Sequence, residues 1–573
     1  MWPTGWRAAL PDWAQEEWDC IIVGGGITGA GILLEAVKRG WKVLLLEQRD
    51  FAWGTSSRSS KLVHGGLRYL KQGKFGLTFE SVRERQSLLR EAAGLVEPQG
   101  FVLADMAGRK PGRWIYSIGL AVYDTMAGQH TSRYLKPDDL LMLAPHIERK
   151  GLKGGLSYQD AKTDDARLVM RVLQEALAHG AHACNYVEVR KVLREGAAEA
   201  AAATNGQAGQ AGQAGQPESV KSAGTAGRVC GVEAFDLVSG RTITLRAKMV
   251  ISATGAWADG LRPQGAGRIP QKIRPLRGSH LLFPAWRFPV SQAVSLMHPA
   301  DGRPVFAYPW EGVTLVGTTD VDHSANLQQE ATITAAEVDY ILAAVTFQFP
   351  ELKLTQDDIL ATYAGVRPVI DSGKADPSQE GRDHVVWQEQ GLLTVTGGKL
   401  TTFRPIAQDA LRHAARYLPQ LPSAAQHAKD APIFAENAPL SQQFGLPAMT
   451  AQRLQGRYGV HATSLLAAAQ QGETALIPGT QTLWAELRWA ARMEAVVHLE
   501  DLLLRRTRLG LQLAGGGVAC LDKIRGICQS ELGWSDGDWA REQQAYLDLW
   551  QKHYSVPGRH SVAEGTAGTA GTA

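Results

Sequence analysis

Cysteine is scarce in this chain of 573 residues: Cys20, Cys184, Cys230, Cys520 and Cys528 are scattered, odd in number, and contain no C-x-x-C pair. This excludes a disulfide scaffold and predicts a reduced, intracellular protein without a structural metal. A long apolar run is also missing. The best stretch, 114–123, stops at Asp124, far short of the roughly 20 residues that cross a bilayer. The N-terminus has no basic region followed by an apolar core, and Asp12, Glu16 and Glu17 argue against a transit peptide. Nor is there a charge excess: 60 Lys and Arg against 57 Asp and Glu leave +3. Without aromatic and basic residues interleaved, nothing calls for nucleic acid. No D-x-D-x-D-G run is present, so a calcium loop is not expected.

What is present begins at Asp19. An apolar run, Cys20-Ile21-Ile22-Val23, leads into Gly24-Gly25-Gly26-Ile27-Thr28-Gly29, then a helical pattern, then a second strand at 42–46 ending on Glu47. This is the grammar of a dinucleotide site. Gly24 permits the tight turn, Gly26 lets the backbone approach a pyrophosphate, Gly29 lets helix and strand pack, and Glu47 can accept from ribose hydroxyls. The N-terminus also carries Trp2, Trp6, Trp13 and Trp18. Tryptophan favours membrane interfaces, so these either touch a bilayer peripherally or pack onto the first domain.

At this length two or three domains are expected, some discontinuous. Helices are predicted over 78–92, 164–179, 406–417, 484–504 and 539–553, and strands over 186–193, 229–237, 249–253, 281–283, 313–316 and 392–395. The Ala/Gly/Gln segment within 195–227 cannot bury enough apolar surface to order itself. It is expected to replace a hairpin turn. Small-residue turns follow the strands at Gly255 and at Gly397-Gly398, so three glycine turns mark one interrupted cofactor domain. The expected division is 19–110 and 155–260 (with the disordered insert 196–227) and 387–420 for the cofactor domain, 261–386 for a β-rich substrate domain, 432–555 for a helical C-terminal domain, and 556–573 for a disordered tail.

Thr55-Ser56-Ser57-Arg58-Ser59-Ser60-Lys61-Leu62-Val63-His64-Gly65-Gly66-Leu67-Arg68-Tyr69-Leu70 closely resembles the segment after the second strand in FAD-dependent glycerol-3-phosphate dehydrogenases. So do Arg277-Gly278-Ser279-His280, Gly317-Thr318-Thr319-Asp320, Gly365-Val366-Arg367-Pro368 and Gly397-Gly398-Lys399-Leu400-Thr401-Thr402, in the same order. The C-terminus, with Leu504-Arg505-Arg506-Thr507, is similar to that family's cap domain. The insert, the Trp-rich extension and the tail depart from the pattern without touching a motif. The resemblance implies an α/β fold: a Rossmann-like FAD-binding domain, a D-amino-acid-oxidase-like β-rich substrate domain and an α-helical cap. It further implies noncovalent FAD, oxidation of sn-glycerol 3-phosphate to dihydroxyacetone phosphate, and delivery of electrons to a membrane quinone. Peripheral attachment to the cytoplasmic face of the inner membrane and a homodimer are family expectations.

The residue types suit that chemistry. A small dianion needs converging cations and donors, for which Arg68, Tyr69, Lys399 and Thr401 are the candidates. Alcohol oxidation needs a base as hydride leaves C2. His280 is the first choice, with a strand-capping structural histidine as its competitor. Arg367 and Arg382 would stabilise the developing alkoxide; Arg367 could instead lower the alcohol's pKa enough for water to take the proton. His64 reads as a supporting hydrogen-bond partner. Besides Gly24, Gly26, Gly29 and Glu47, the residues Ser56, Ser57, Lys61, Leu62, Gly255, Gly398 and Thr402 resemble those that line FAD.

Competing readings are a glycerol-3-phosphate oxidase using oxygen, an amino-acid or sarcosine-type flavin oxidase, and a non-redox protein with structural FAD. For a membrane-facing surface the sequence offers the N-terminal tryptophans and the basic cluster Arg505, Arg506 and Arg508. That cluster reads equally as a helix face capped by Glu500 and Asp501.

Overall fold

The computed structural model describes residues 1–67, 70, 73–108, 112–195, 227–262, 272–374, 380–381, 383–389, 391–420, 432–435, 440 and 444–559. The first sheet is built on the strand Glu17–Val23, flanked in parallel by Val43–Leu46 and by the C-terminal half of Arg241–Ser252. Leu392–Gly397 joins in parallel beyond the latter, and His182–Cys184 beyond the former. Alternate residues of a strand point to opposite faces, and here both faces are covered. Cys20, Ile22, Val43, Leu45 and Ile251 enter one core with the helices Ile27–Lys38, Asp165–Ala178 and Phe403–Ala414. Ile21, Val23, Leu44, Leu46 and Val250 enter another. This is why the run from Cys20 reads as continuously apolar. The second core contains Trp13 and Trp18, and Trp2 donates its indole N–H to Ala183 O at 2.7 Å. Packing onto the first domain is therefore what occupies these tryptophans.

Strands Val187–Arg194 and Val229–Asp236 pair antiparallel on either side of the Ala/Gly/Gln insert, as the hairpin reading expects. The insert itself, 196–226, lies outside the described residues. Among the described residues the second sheet has ten strands, its long members Ile273–Pro284, Ala361–Ile370, Val96–Met106 and Leu152–Thr163. The last two come from segments flanking the first break in the cofactor region, so the substrate-side sheet draws on more of the chain than 261–386.

The described residues beyond 432 are mainly helical, with Trp484–Met493, Leu521–Leu532 and Asp536–His553 packed against the second sheet. The single helix expected over 484–504 is not observed. It stops at Met493 because Glu494 turns inward to take a bidentate bond from Arg167, and Ala495 has a positive φ of 52°. A π-helical turn, Asp501–Arg506, follows. At the tail, Val556 is buried in the core of the second sheet and Arg559 donates to Ile359 O, so order extends past 555; 560–573 lie outside the described residues. No helix among the described residues is long and apolar enough to cross a membrane.

Candidate active site

The strand Glu17–Val23 ends at Gly24, where φ is +112° and an added Cβ would lie 2.6 Å from Ala253 O. An added Cβ on Gly29 would lie 1.9 Å from Gly24 O. Neither position admits a side chain, so the turn is tight and the helix Ile27–Lys38 sits directly on the strand. Ile27 N donates to Ser56 Oγ at 3.0 Å, tying the helix N-terminus to the Ser-rich run. Glu47 accepts from Gly25 N at 2.6 Å and from Arg49 N at 2.8 Å. Its burial pushes the carboxyl above the usual range, and the two N–H bonds counter part of that rise.

These residues border a cavity of about 1150 Å³, larger than the about 300–1,000 Å³ usual for one drug-sized ligand. Gly24, Gly26, Glu47, Ser56, Leu62, Gly255, Gly398, Lys399, Thr401 and Arg367 all line it, so the three glycine turns and two of the expected cations meet in one space. The lining fits a dinucleotide cofactor: a glycine cradle that a Cβ would fill, a helix N-terminus above it, and a carboxylate at the end of the second strand.

The remaining expected residues stand elsewhere. Gly29, Ser57, Lys61, Thr402 and His280 are not on the cavity wall. Lys61 is buried, bonded to Asp165 Oδ1 and Ser57 O at 2.9 Å each and stacked over Trp310 and Tyr363. Burial and then Arg508 lower its pKa to about 8, against the pull of Asp165. Ser57 offers its carbonyl to Lys61 and Arg508 rather than facing the cavity. Thr402 is buried and directly precedes the helix Phe403–Ala414. Arg68, Tyr69 and Arg382 lie outside the described residues.

His280 sits one layer back. Its Nε2 is 2.9 Å from Ser60 Oγ, and Ser60 does line the cavity. The imidazole stacks on Tyr363 with centroids 4.6 Å apart. Burial, then Arg367 and Lys61, push its pKa well below the usual imidazole value, so it is held neutral. The motif glycines make room for these groups. An added Cβ on Gly317 would strike the His280 ring at 2.2 Å, and one on Gly278 would strike Arg367 Nη2 at 2.3 Å. Buried Glu337 ties two motifs together, accepting from Ser279 Oγ and Thr319 Oγ1 at 2.8 Å each and from Arg277.

Sequence reasoning missed several lining residues, Asp160, Ser60 and Arg303 among them. Asp160 accepts from Arg85 at 2.6 Å and Tyr123 at 2.8 Å, and burial raises its pKa despite Arg85. Ser60 was legible only as one serine among several. Arg303 follows Asp301 and Gly302 and reads as a solvated turn; its position opposite Asp320 was the only signal, and that is tertiary.

Comparisons with known proteins agree with this architecture. Residues 19–404 match the FAD dependent oxidoreductase family, and 432–538 match the C-terminal domain of alpha-glycerophosphate oxidase. The aerobic glycerol-3-phosphate dehydrogenase of Staphylococcus aureus is 34% identical over 514 residues, covering 86% of this chain and 87% of that protein. The crystal structure of the glycerol-3-phosphate dehydrogenase from Bacillus halodurans complexed with FAD superposes with a TM-score of 0.72 at 26% identity, over 98% of this chain and 100% of that one. The L-alpha-glycerophosphate oxidase of Mycoplasma pneumoniae shares the fold, with a TM-score of 0.53 at 17% identity over 71% of this chain and 97% of that one. The chain is thus an FAD-dependent oxidoreductase and belongs to the FAD-dependent glycerol-3-phosphate dehydrogenase family.

Proposed function

We propose that this protein oxidises sn-glycerol 3-phosphate to dihydroxyacetone phosphate and passes the electrons to a membrane quinone. The observation that carries this reading is one cavity lined by three glycine turns, Arg367, Lys399 and the Ser60 hydroxyl that leads to His280. FAD, when bound, supplies the acceptor for the C2 hydride. Gly24, Gly26, Glu47, Ser56, Leu62, Gly255 and Gly398 would hold it, while Gly29, Ser57, Lys61 and Thr402 support that wall from behind. Lys399, Thr401 and Arg367, with Arg68, Tyr69 and Arg382, bind the dianion and stabilise the developing alkoxide. The hydroxyl proton leaves through Ser60 Oγ to His280 Nε2, which requires the tautomer carrying hydrogen on Nδ1. The bound dianion opposes the effect of Arg367 and Lys61 on the imidazole.

A peripheral membrane contact on the cytoplasmic face of the inner membrane forms part of the proposal, on a surface other than the N-terminal tryptophans. The helix Arg113–Ala127 exposes Trp114, Ile115, Ile118 and Val122, with Phe75 and Phe79 exposed on the neighbouring helix Phe75–Glu91. Arg113 lies over the Trp114 ring, and Arg133 and Lys136 are exposed nearby in the chain. An apolar face edged by tryptophan and basic residues suits an anionic bilayer surface. The inward side of the same helix carries Tyr123, bonded to cavity-lining Asp160.

The test is anaerobic addition of sn-glycerol 3-phosphate to the yellow holoenzyme, followed through the flavin's visible absorption, then a soluble quinone or oxygen. Bleaching reversed by quinone is expected. Reversal chiefly by oxygen makes the protein an oxidase, and bleaching by an amino acid alone overturns the substrate.

A further inference from the structure

We infer that Arg303 is a specificity-determining residue that recognises the substrate's phosphate, and that Asp320 is the positioning residue that aims it together with Arg367. The inference rests on the phosphate substrate proposed above. Arg303 stands just before the strand Pro304–Trp310, at the close of the turn from Ala293–Met297. Its backbone is pinned on both sides: its N–H donates to Asp301 Oδ1 at 3.0 Å and its carbonyl accepts from His298 N at 2.9 Å. The side chain reaches the cavity wall, where Nη2 lies 3.4 Å from Asp320 Oδ2 and Nη1 is 3.4 Å from Asp320 O. The other carboxylate oxygen, Oδ1, is 3.4 Å from Arg367 Nη1, and Arg367 Nη2 donates to Thr318 Oγ1 at 3.1 Å.

One buried carboxylate therefore contacts two guanidiniums, one from a turn and one from the strand Ala361–Ile370, at one cavity. These contacts differ from the chain's structural ion pairs. Arg167 grips Glu494 through two bonds of 2.9 and 2.8 Å, the geometry of a saturated fork. Arg303 meets Asp320 through one carboxylate contact and one to the backbone oxygen, each 3.4 Å, which fix its direction and use two of the five donors that a guanidinium carries.

The probe is inorganic phosphate, titrated into the oxidised holoenzyme and read by perturbation of the flavin spectrum, alongside KM and kcat for sn-glycerol 3-phosphate. R303A is expected to weaken phosphate and raise KM by about ten- to a hundredfold, the effect of one charge-assisted hydrogen bond, with FAD content unchanged. R303K should recover part of the loss, and D320N should weaken phosphate by acting on both arginines. Unchanged phosphate affinity and KM in R303A overturn the inference, as does a wild-type flavin that phosphate never perturbs. Should R303A fail to fold, R303K and R303Q carry the same comparison. Failure of the underlying reading is separable: wild-type flavin would not bleach with sn-glycerol 3-phosphate, whatever phosphate does.

Discussion

Arginines meet carboxylates in two places in this molecule, and they are used oppositely. At the seam between the helical cap and the cofactor sheet, Arg506 binds Asp50 through two bonds of 2.7 Å, Arg505 binds Asp50 at 2.5 Å, and Arg508 reaches Asp164 at 2.9 Å and also pairs with Asp165. All three arginines are buried, and their partners lie about 340 residues or more away in sequence. At the cavity, Arg303 and Arg367 share one carboxylate at longer range and line open space. Close, multiply bonded pairing deep in the interior makes an arginine part of the scaffold, whereas longer contacts at a cavity wall leave it within reach of a ligand. The basic cluster at 505–508 accordingly does not serve as a membrane surface. Arg505 does reach Glu500 and Asp501, as the helix-face reading expects, but its cofactor-domain partner Asp50 is remote.

The sharpest break in that contrast is Arg506→Ala. Removing one partner leaves Asp50 buried against fewer cations, and about 3–5 kcal/mol of stability should be lost, measured as the midpoint of thermal or denaturant unfolding. Lys399→Met at the cavity should do the reverse, leaving unfolding unchanged while lowering kcat/KM about a hundredfold, as removal of one stabilising donor does. Equal loss of stability in both variants would erase the distinction.

Acid offers a milder test. Burial disfavours the Asp50 charge, but Arg506 and Arg505 outweigh it and lower the pKa to about 2. A depressed carboxylate contributes stability above its unfolded value of about 3.9 and loses it as pH falls toward the folded value. Between about pH 4 and pH 2 this group should cost on the order of 2 kcal/mol, and in an Arg506→Ala background that acid sensitivity should shrink. Urea titrations at several pH values would read both. The smallest effect on catalysis is expected from Trp114→Ala with Ile118→Ser. Turnover with a soluble acceptor should be unchanged, while sedimentation with anionic vesicles falls several-fold. Unaltered sedimentation would remove this helix from the membrane proposal.

Legibility followed the range of the interaction. The glycine turns could be read because a dinucleotide cradle is a local object: Gly24 and Gly29 must be small for reasons set within a few residues. The helices 164–179 and 539–553 were likewise within a residue or a turn of Asp165–Ala178 and Asp536–His553. The helix over 484–504 misled because its apolar periodicity continues past Met493, and what ends it is Glu494 bonding Arg167, 327 residues away. His280 illustrates both sides. Its motif marked it for attention, but only the packing shows that Ser60, not the imidazole, stands on the cavity wall.

The amino-acid sequence by itself determined the cofactor grammar, the order of the family's motifs and the helical nature of the C-terminus. Each depends on residue size and periodicity over a few turns of chain. The tertiary structure alone decided which charges are scaffold and which face the cavity, where the tryptophans go, and that Arg303 joins Arg367 at Asp320. Electrostatic role depends on the partner within a few ångströms and on exclusion of water, and those partners come from distant parts of the chain.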